Sequence, residues 1–170
     1  MTTTVTLTDT QTQSVIDADQ AAAAQIANAA KATISAGQFV YLAAFDGTNN
    51  NYKDVRLSGN PNPTNVGTLW KDEIEPLISP TSNVGGQYYP GPGTGGALDL
   101  SAGPAQSFVT DSAEAAYTDF CDQAGKWLSQ PGNKGKTVSV AFAAFSRGCA
   151  SAAMLTQLLF EQPQEPQGSE

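Results

Sequence analysis

A serine stands between a short apolar run and a run of small residues in the segment AFSRG, residues 144–148. The apolar run predicts a buried strand and the small residues predict a helix, so Ser146 lies at a sharp strand-to-helix turn. Such a turn strains the serine backbone, and the residues two before and two after it, Ala144 and Gly148, must be small. The pattern predicts Ser146 as a nucleophile and the backbone N–H of Arg147 as an oxyanion donor. A serine that only caps the next helix is the alternative interpretation.

A second loop, DGTNNN at residues 46–51, follows the first apolar run of the chain. A loop after an early strand can supply a second oxyanion donor, and we expect the backbone N–H groups of Gly47 and Thr48 to do so, with Asp46 beside them. A phosphatase of the haloacid dehalogenase type would need a nucleophilic aspartate two positions before Asp46. The residue there is Ala44, which excludes that chemistry.

The same loop is rich in oxygen-bearing side chains, and Asp46, Asn49, Asn51 and Asp54 could surround a calcium ion. The spacing and the bidentate glutamate of an EF-hand are both missing. We therefore expect no metal and no other cofactor, and calcium stays as a weak alternative.

The glycine-rich segment GPGTGG, residues 91–96, formally matches the dinucleotide fingerprint G-x-G-x-x-G. The residues that follow, ALDLSAGP, do not open a long helix, so no helix amino terminus is available to hold a pyrophosphate. The segment instead predicts a flexible loop near the mouth of a substrate site.

Composition restricts the chemistry further. The chain of 170 residues has no histidine, which removes the usual general base and the usual zinc ligand. A net charge of −8 is the wrong sign for a phosphate-backbone binder, so nucleic acid is not an expected partner. The two cysteines, Cys121 and Cys149, are too few for a disulfide framework, and we expect both to be reduced packing residues on helices.

The elements that position these loops alternate between strand and helix. Residues 1–16 predict an extended arm and 17–33 an Ala-rich helix. The domain proper follows over residues 37–160, and 161–170 read as a linker or cleavage region. Strands are expected at 38–45, 87–89 and 137–145, and the first and last of them are expected to be buried. A helix is expected at 66–77, with Thr64 or Asn65 as its cap, and another from a capping box at 111–114 to about Leu128. A last helix should follow the strand-to-helix turn at Ser146, which we call the elbow. This order predicts an α/β domain around a mainly parallel sheet.

Taken in order, the segments FDGTNNN, PTNVGTLW, QYYPGPGTG, AAYTDFCDQ and FAAFSRGCASAAML resemble the catalytic domain of phospholipase effectors of type VI secretion systems. The resemblance runs from about residue 39 to residue 160. It implies an α/β-hydrolase fold, of which this chain has the first half, and hydrolysis of phospholipid acyl esters in a rival bacterium's membrane. It also implies Ser146 as nucleophile and Arg147 with the 46–48 loop at the oxyanion. Tyr88 and Tyr89 are candidates for lipid contact, whereas Trp127 at helical spacing is expected in the core.

Enzymes of this family complete a Ser-Asp-His triad after the elbow, which a chain without histidine cannot do. We therefore expect the triad aspartate and histidine on a second chain or on a carboxy-terminal part outside these residues. A secretion-needle component and an immunity protein are further expected partners. The amino terminus has no secretory signal, so we expect a protein that is cytoplasmic when made and is exported by a leaderless route. The alternative is a non-catalytic scaffold or interaction module with a remnant elbow.

Overall fold

The structure is a computed structural model that describes residues 8–14, 17, 18, 21, 25, 28, 37–59, 61–94 and 105–161. Its centre is a parallel sheet of three strands: β1 (Phe39–Phe45), β2 (Val84–Tyr89) and β3 (Val138–Ala144). The strand order is β2-β1-β3, so β1 lies in the middle. In the register of the sheet, Leu42 is opposite Gly86 on one side and Ala141 on the other. The α/β architecture predicted from the alternation of elements is confirmed.

Helices cover both faces of the sheet. Helix α1 (Asn65–Leu69) continues through a π-helical turn, Trp70–Ile74, into a 3-10 turn, Glu75–Leu77. Along the chain, helix α2 (Ala105–Leu128) precedes β3 and helix α3 (Gly148–Glu161) follows it. A separate 3-10 turn spans Val55–Ser58. The amino-terminal cap of α1 is Thr64, one of the two residues predicted for it, and its side chain accepts a hydrogen bond from the Gly67 N–H.

Side chains of β1 alternate between two hydrophobic cores. The odd-numbered residues, from Phe39 to Phe45, pack with the buried apolar side chains along one side of α2 and with Leu155 of α3. Leu42 and Ala44 point the other way, where they pack with α1 residues and Tyr88. Since both faces of β1 are covered, all seven of its residues are buried, as its continuous apolar run predicts. Trp127 lies in the first core, as expected.

The amino-terminal arm differs from the prediction where it is described. Residues 9–14 are helical, so an extended conformation is wrong for them. Asp17, Ala18, Ala21, Gln25 and Asn28 are helical, in agreement with the predicted Ala-rich helix, and they are exposed. The rest of both predicted segments, and of the linker over 162–170, lies outside the described residues.

Helix α2 begins at Ala105, so a capping box at residues 111–114 is wrong. The reason is tertiary: Phe108 is only 3% exposed, and its burial continues the apolar stripe one turn before the predicted start. Ser112, at the centre of the supposed box, is instead fully buried inside the helix.

Strand β3 is not buried on both faces as predicted. Its residues are half-exposed, and Phe142 keeps 40% of its surface accessible, because among the described residues β3 pairs with β1 alone and stands at the edge of the sheet. Cys149 at the start of α3 is exposed, so it is not a packing residue, whereas Cys121 is half-buried. Both are free thiols, as expected.

Candidate functional site

Three loops meet at the carboxyl edge of the sheet, because parallel strands end on the same side. The loop after β1, residues 46–51, is joined to the loop after β2 by two hydrogen bonds: Asn49 N donates to Pro92 O at 2.8 Å, and Gly91 N donates to Asn50 O at 2.9 Å. The elbow after β3 lies against the first loop, since a methyl group on Gly47 would come within 2.9 Å of the Ser146 Cβ. The structure thus brings together the loops that the sequence singled out.

Ser146 occupies the strained turn that the sequence predicts. Its φ of 55° lies in the left-handed region, which costs a residue with a side chain about 1–2 kcal/mol. The Phe145 N–H donates to Phe45 O at 3.0 Å and so extends the ladder up to the residue before the serine. Ser146 itself is exposed. Its hydroxyl accepts no hydrogen bond from the described part of α3, so the interpretation of Ser146 as a helix cap is not supported.

The small residues around the elbow have a steric reason. A side chain at Gly148 would collide with the Phe45 carbonyl oxygen and would lie 2.8 Å from the Asp46 carbonyl oxygen. Gly148 is buried, so α3 begins directly against the end of β1. Ala144, two residues before the serine, ends β3 opposite Phe45. This close approach is what fixes Ser146 beside the loop after β1.

The side chain of Asp46 holds that loop in place through buried hydrogen bonds. The residue is 2% exposed; Oδ2 accepts hydrogen bonds from Tyr88 OH at 2.6 Å and Thr64 Oγ1 at 2.8 Å, and Oδ1 accepts one from Gly47 N at 2.8 Å. Because Thr64 also caps α1, the carboxylate connects the loop to a helix as well as to β2. The structure thus places Asp46 beside Gly47, as the sequence order requires, and its supporting role at a catalytic site stays a prediction. The sequence analysis did not identify its partners Thr64 and Tyr88.

The candidate oxyanion donors differ in availability. The Gly47 N–H is directed at Asp46 Oδ1, so in this structure it has an acceptor within its own loop. The N–H groups of Thr48 and Arg147 have no acceptor among the described residues. Thr48 follows Gly47, whose α-carbon lies against the elbow, and Arg147 follows the serine. Of the donors predicted from sequence, Thr48 and Arg147 are thus the two that remain open.

The glycines of the second loop permit its close contact with the first. A side chain at Gly91 would overlap the Gly47 carbonyl group, and one at Gly93, with φ of 87°, would overlap the Asn49 side chain. Thr94 Oγ1 donates to Gly91 O at 2.9 Å. Residues 91–94 are therefore packed onto the 46–51 loop. The rest of the predicted glycine-rich loop, and of the rejected nucleotide fingerprint, lies outside the described residues.

The candidate lipid-contact residues Tyr88 and Tyr89 are 6% and 4% exposed, so neither ring lies open on the surface, and contact with lipid stays a prediction. Tyr89 OH donates to Asp119 Oδ2 at 2.7 Å, and Tyr41 OH lies 2.8 Å from Tyr89 OH. Since the Tyr89 hydroxyl donates its only proton to the Asp119 carboxylate, Tyr41 OH is the donor in the hydrogen bond between the two tyrosines. Burial is the main cause that raises the pKa of each of these three phenols above its ordinary value.

Three of the four oxygen-bearing side chains of the calcium alternative have other partners in the structure. Asp46 is committed to the hydrogen bonds above, Asp54 pairs with Arg56 at 2.9 Å, and Asn51 Oδ1 accepts from Lys53 N at 3.0 Å. Among the described residues there is no group of three or more histidine, cysteine, aspartate or glutamate side chains that could hold a metal ion.

A cavity of about 270 Å³ opens beside the loops, on the α1 side of the sheet. The cavity is lined by Asn51, Tyr52, Lys53, Trp70, Glu75, Gln87, Tyr88 and Pro90. Tyr52 OH donates to the Glu75 carboxylate at 3.2 Å, and Lys53 Nζ stands 5.4 Å from the centre of the Tyr52 ring. No local sequence pattern predicts this cavity, because its lining comes from three separate segments, residues 51–53, 70–75 and 87–90.

No protein-family model, no curated protein and no solved structure matches this chain. In the described residues, no helix combines the length and the apolar character needed to cross a membrane.

Proposed function

We propose that this chain carries the nucleophile half of a serine ester hydrolase of the α/β-hydrolase type. One observation carries the proposal: Ser146 is exposed at the carboxyl edge of a parallel sheet, in the left-handed conformation, at a strand-to-helix turn. A strained, exposed serine at this position is the geometry that presents a hydroxyl to a substrate.

The sheet supports the same proposal. In an α/β hydrolase the nucleophile and the second oxyanion donor come from the ends of different strands. Here Ser146 follows β3 and Thr48 follows β1, which are neighbours in the sheet. The Arg147 and Thr48 N–H groups, both without a described acceptor, would then face the same developing charge.

In the proposed reaction, Ser146 Oγ attacks the carbonyl carbon of an ester while a base takes the hydroxyl proton. The Thr48 and Arg147 N–H groups stabilise the oxyanion, a contribution of about 3 kcal/mol for one donor. The ester C–O bond then breaks, the base returns its proton to the departing alkoxide, and an acyl-serine remains. Water, deprotonated by the same base, attacks the acyl-serine and releases the carboxylic acid and Ser146.

The base of this proposal is an imidazole from outside these 170 residues, since none of them is a histidine. The triad aspartate would accompany it on a second chain or on a further part of the protein. The resemblance to type VI phospholipase effectors supports a phospholipid substrate and a role as an antibacterial toxin that is delivered by such a secretion system. A secretion-needle component and an immunity protein are the partners that this role implies.

The test is labelling of the purified chain by a fluorophosphonate, with and without imidazole in solution. Because Ser146 is exposed, added imidazole can reach its hydroxyl and act as the base, and we expect it to raise the labelling rate at least about tenfold. Ser146→Ala should abolish this labelling. Ser129→Ala, at an exposed serine after α2, is the matched control and should leave it unchanged.

The alternative is a non-catalytic scaffold with a remnant elbow. The hydrogen bond from the Gly47 N–H to Asp46 Oδ1 favours the scaffold, because this N–H is then not available to a substrate oxyanion. A labelling rate that imidazole does not change, or one that persists in Ser146→Ala, would support the scaffold and contradict the hydrolase.

A further inference from the structure

The cavity of about 270 Å³ lies apart from the elbow. Its lining comes from the loop after β1, from the turns that continue α1 and from the end of β2. Since β1 stands between β2 and β3, the β2 lining lies on the opposite side of β1 from the strand that carries the elbow. Neither Ser146 nor Thr48 nor Arg147 is among the lining residues. The cavity is therefore a second candidate site, and the proposed hydrolase reaction does not use it.

Three aromatic rings in the cavity lining hold one another in position. The Tyr52 ring meets the Tyr88 ring edge-on, with 4.7 Å between the ring centres, and the Trp70 ring is 6.4 Å from Tyr88. The Tyr52 N–H donates to Tyr88 OH at 3.2 Å, and Tyr88 OH in turn donates to the Asp46 carboxylate. Because the rings are fixed by these contacts, a ligand would not have to order them, which lowers the cost of binding.

Two opposite charges lie beside the ring of Tyr52. The Tyr52 hydroxyl is within hydrogen-bond distance of both Glu75 carboxylate oxygens, at 3.2 and 3.3 Å. Lys53 Nζ stands over the same ring, 5.4 Å from its centre. In the described part of the chain, neither Lys53 nor Glu75 forms an ion pair. The cavity thus has one cationic and one anionic group that do not neutralise each other.

We propose that this cavity binds a small zwitterion with a short chain between its two charges. The ammonium group of the ligand lies against the Glu75 carboxylate and the aromatic rings, where a cation is attracted by both. The anionic group, a carboxylate or a phosphonate, pairs with Lys53. A ligand with a single charge would satisfy one of these two side chains and face the like charge of the other, so a zwitterion is preferred.

The size and the placement of the charges restrict the ligand further. Pockets for drug-sized ligands have volumes of roughly 300–1,000 Å³, so a cavity of about 270 Å³ takes a smaller molecule. Lys53 lies over the ring of Tyr52 and Glu75 lies at its hydroxyl end. The two charges of the ligand must therefore reach different ends of one phenol ring, which a chain of a few carbons allows and a single carbon does not.

The experiment is an NMR titration of the purified chain with 4-aminobutyrate and with its phosphonate analogue, 3-aminopropylphosphonate. The chain has two tryptophans, so Trp70→Phe assigns the two indole N–H signals. We expect a saturable shift of the Trp70 signal and no shift of Trp127, which lies in the other core. Butyrate and butylammonium, which have one charge each, and 2-aminobutyrate, which has both charges on one carbon, should bind at least about tenfold more weakly.

Two substitutions exchange the preference of the cavity. Glu75→Gln should weaken 4-aminobutyrate at least about tenfold and leave it no better than butyrate, because the ammonium then has no counter-charge. Lys53→Gln should leave 4-aminobutyrate no better than butylammonium for the corresponding reason. Glu73→Gln and Lys71→Gln are the matched controls: they make the same changes of charge at exposed residues outside the lining, and they should change neither affinity.

Several results would overturn the proposal. These are no saturable shift of the Trp70 signal with either zwitterion up to about 10 mM, equal affinities for 4-aminobutyrate and the singly charged compounds, or full affinity in Glu75→Gln. A shift with only one of the two zwitterions supports the proposal and identifies the anionic group that Lys53 accepts. Labelling of Ser146 by the fluorophosphonate does not depend on any of these results, so the hydrolase proposal is tested separately.

Discussion

Replacement of Asp46 by asparagine tests whether its carboxylate fixes the loop beside Ser146. Oδ2 accepts two hydroxyl hydrogen bonds, from Tyr88 at 2.6 Å and from Thr64 at 2.8 Å, and an amide nitrogen at that position cannot accept either. The opposite orientation of the amide keeps both hydroxyl bonds but sets its NH2 group against the Gly47 N–H, which then loses its acceptor. Either orientation loses at least one bond to a charged acceptor, so Asp46→Asn should lower the free energy of unfolding by at least about 1.5–3 kcal/mol.

The assay is unfolding by urea and by heat, followed by circular dichroism. A loss of this size lowers the Tm by roughly 3–12 °C in a domain of this length. Tyr88→Phe also removes one bond to the carboxylate and should give an effect of similar size. Asp54→Asn is the matched control on the same loop: the Arg56 side chain that it pairs with is 88% exposed, and the Tm should hardly change. An Asp46→Asn variant as stable as the parent would refute the reasoning, since the desolvation of the buried carboxylate would then cancel its hydrogen bonds.

Two further predictions follow from the same geometry. Ser146→Gly should be about 1 kcal/mol more stable than Ser146→Ala in urea, because only glycine adopts a φ of 55° without cost; equal stabilities would mean that the elbow is unstrained. Burial raises the pKa of Tyr41, Tyr88 and Tyr89, so the folded state holds these protons more tightly than the unfolded chain. Stability should therefore be complete below about pH 10 and fall above it by up to about 1.4 kcal/mol per pH unit for each tyrosine. Phenolate absorbance at alkaline pH should appear together with loss of the circular dichroism signal, and its appearance in the folded protein would contradict the assigned burial.

The parts of the site that the sequence predicts are those fixed by local geometry. The apolar run before Asp46 defines β1, the small residues around Ser146 define the elbow, and Thr64 is a cap by its residue type and position. Each of these depends on neighbours within a few residues. Local steric and hydrogen-bonding rules are therefore sufficient for them.

The parts that the sequence does not predict depend on distant pairing. Tyr88 is 42 residues from the carboxylate it bonds, and no local pattern connects them. The burial of Phe108 moves the start of α2 away from a plausible capping box. An apolar run such as that of β3 cannot distinguish a central strand from an edge strand, because the difference is the presence of a second neighbour in the sheet.

The backbone of Ser146 also bears on the choice between an enzyme and a scaffold. A serine that served only to begin α3 could adopt an extended φ and use its hydroxyl to accept an N–H of the helix, with no strain. Here the hydroxyl has no such bond in the described part of α3, the φ is 55°, and the side chain is exposed. The close approach of Gly148 to the Phe45 and Asp46 carbonyl oxygens holds this conformation in place. A helix cap has no need of strain that is maintained by its surroundings and leaves a hydroxyl unbonded at the edge of the sheet, and this strain is the observation on which the hydrolase proposal rests.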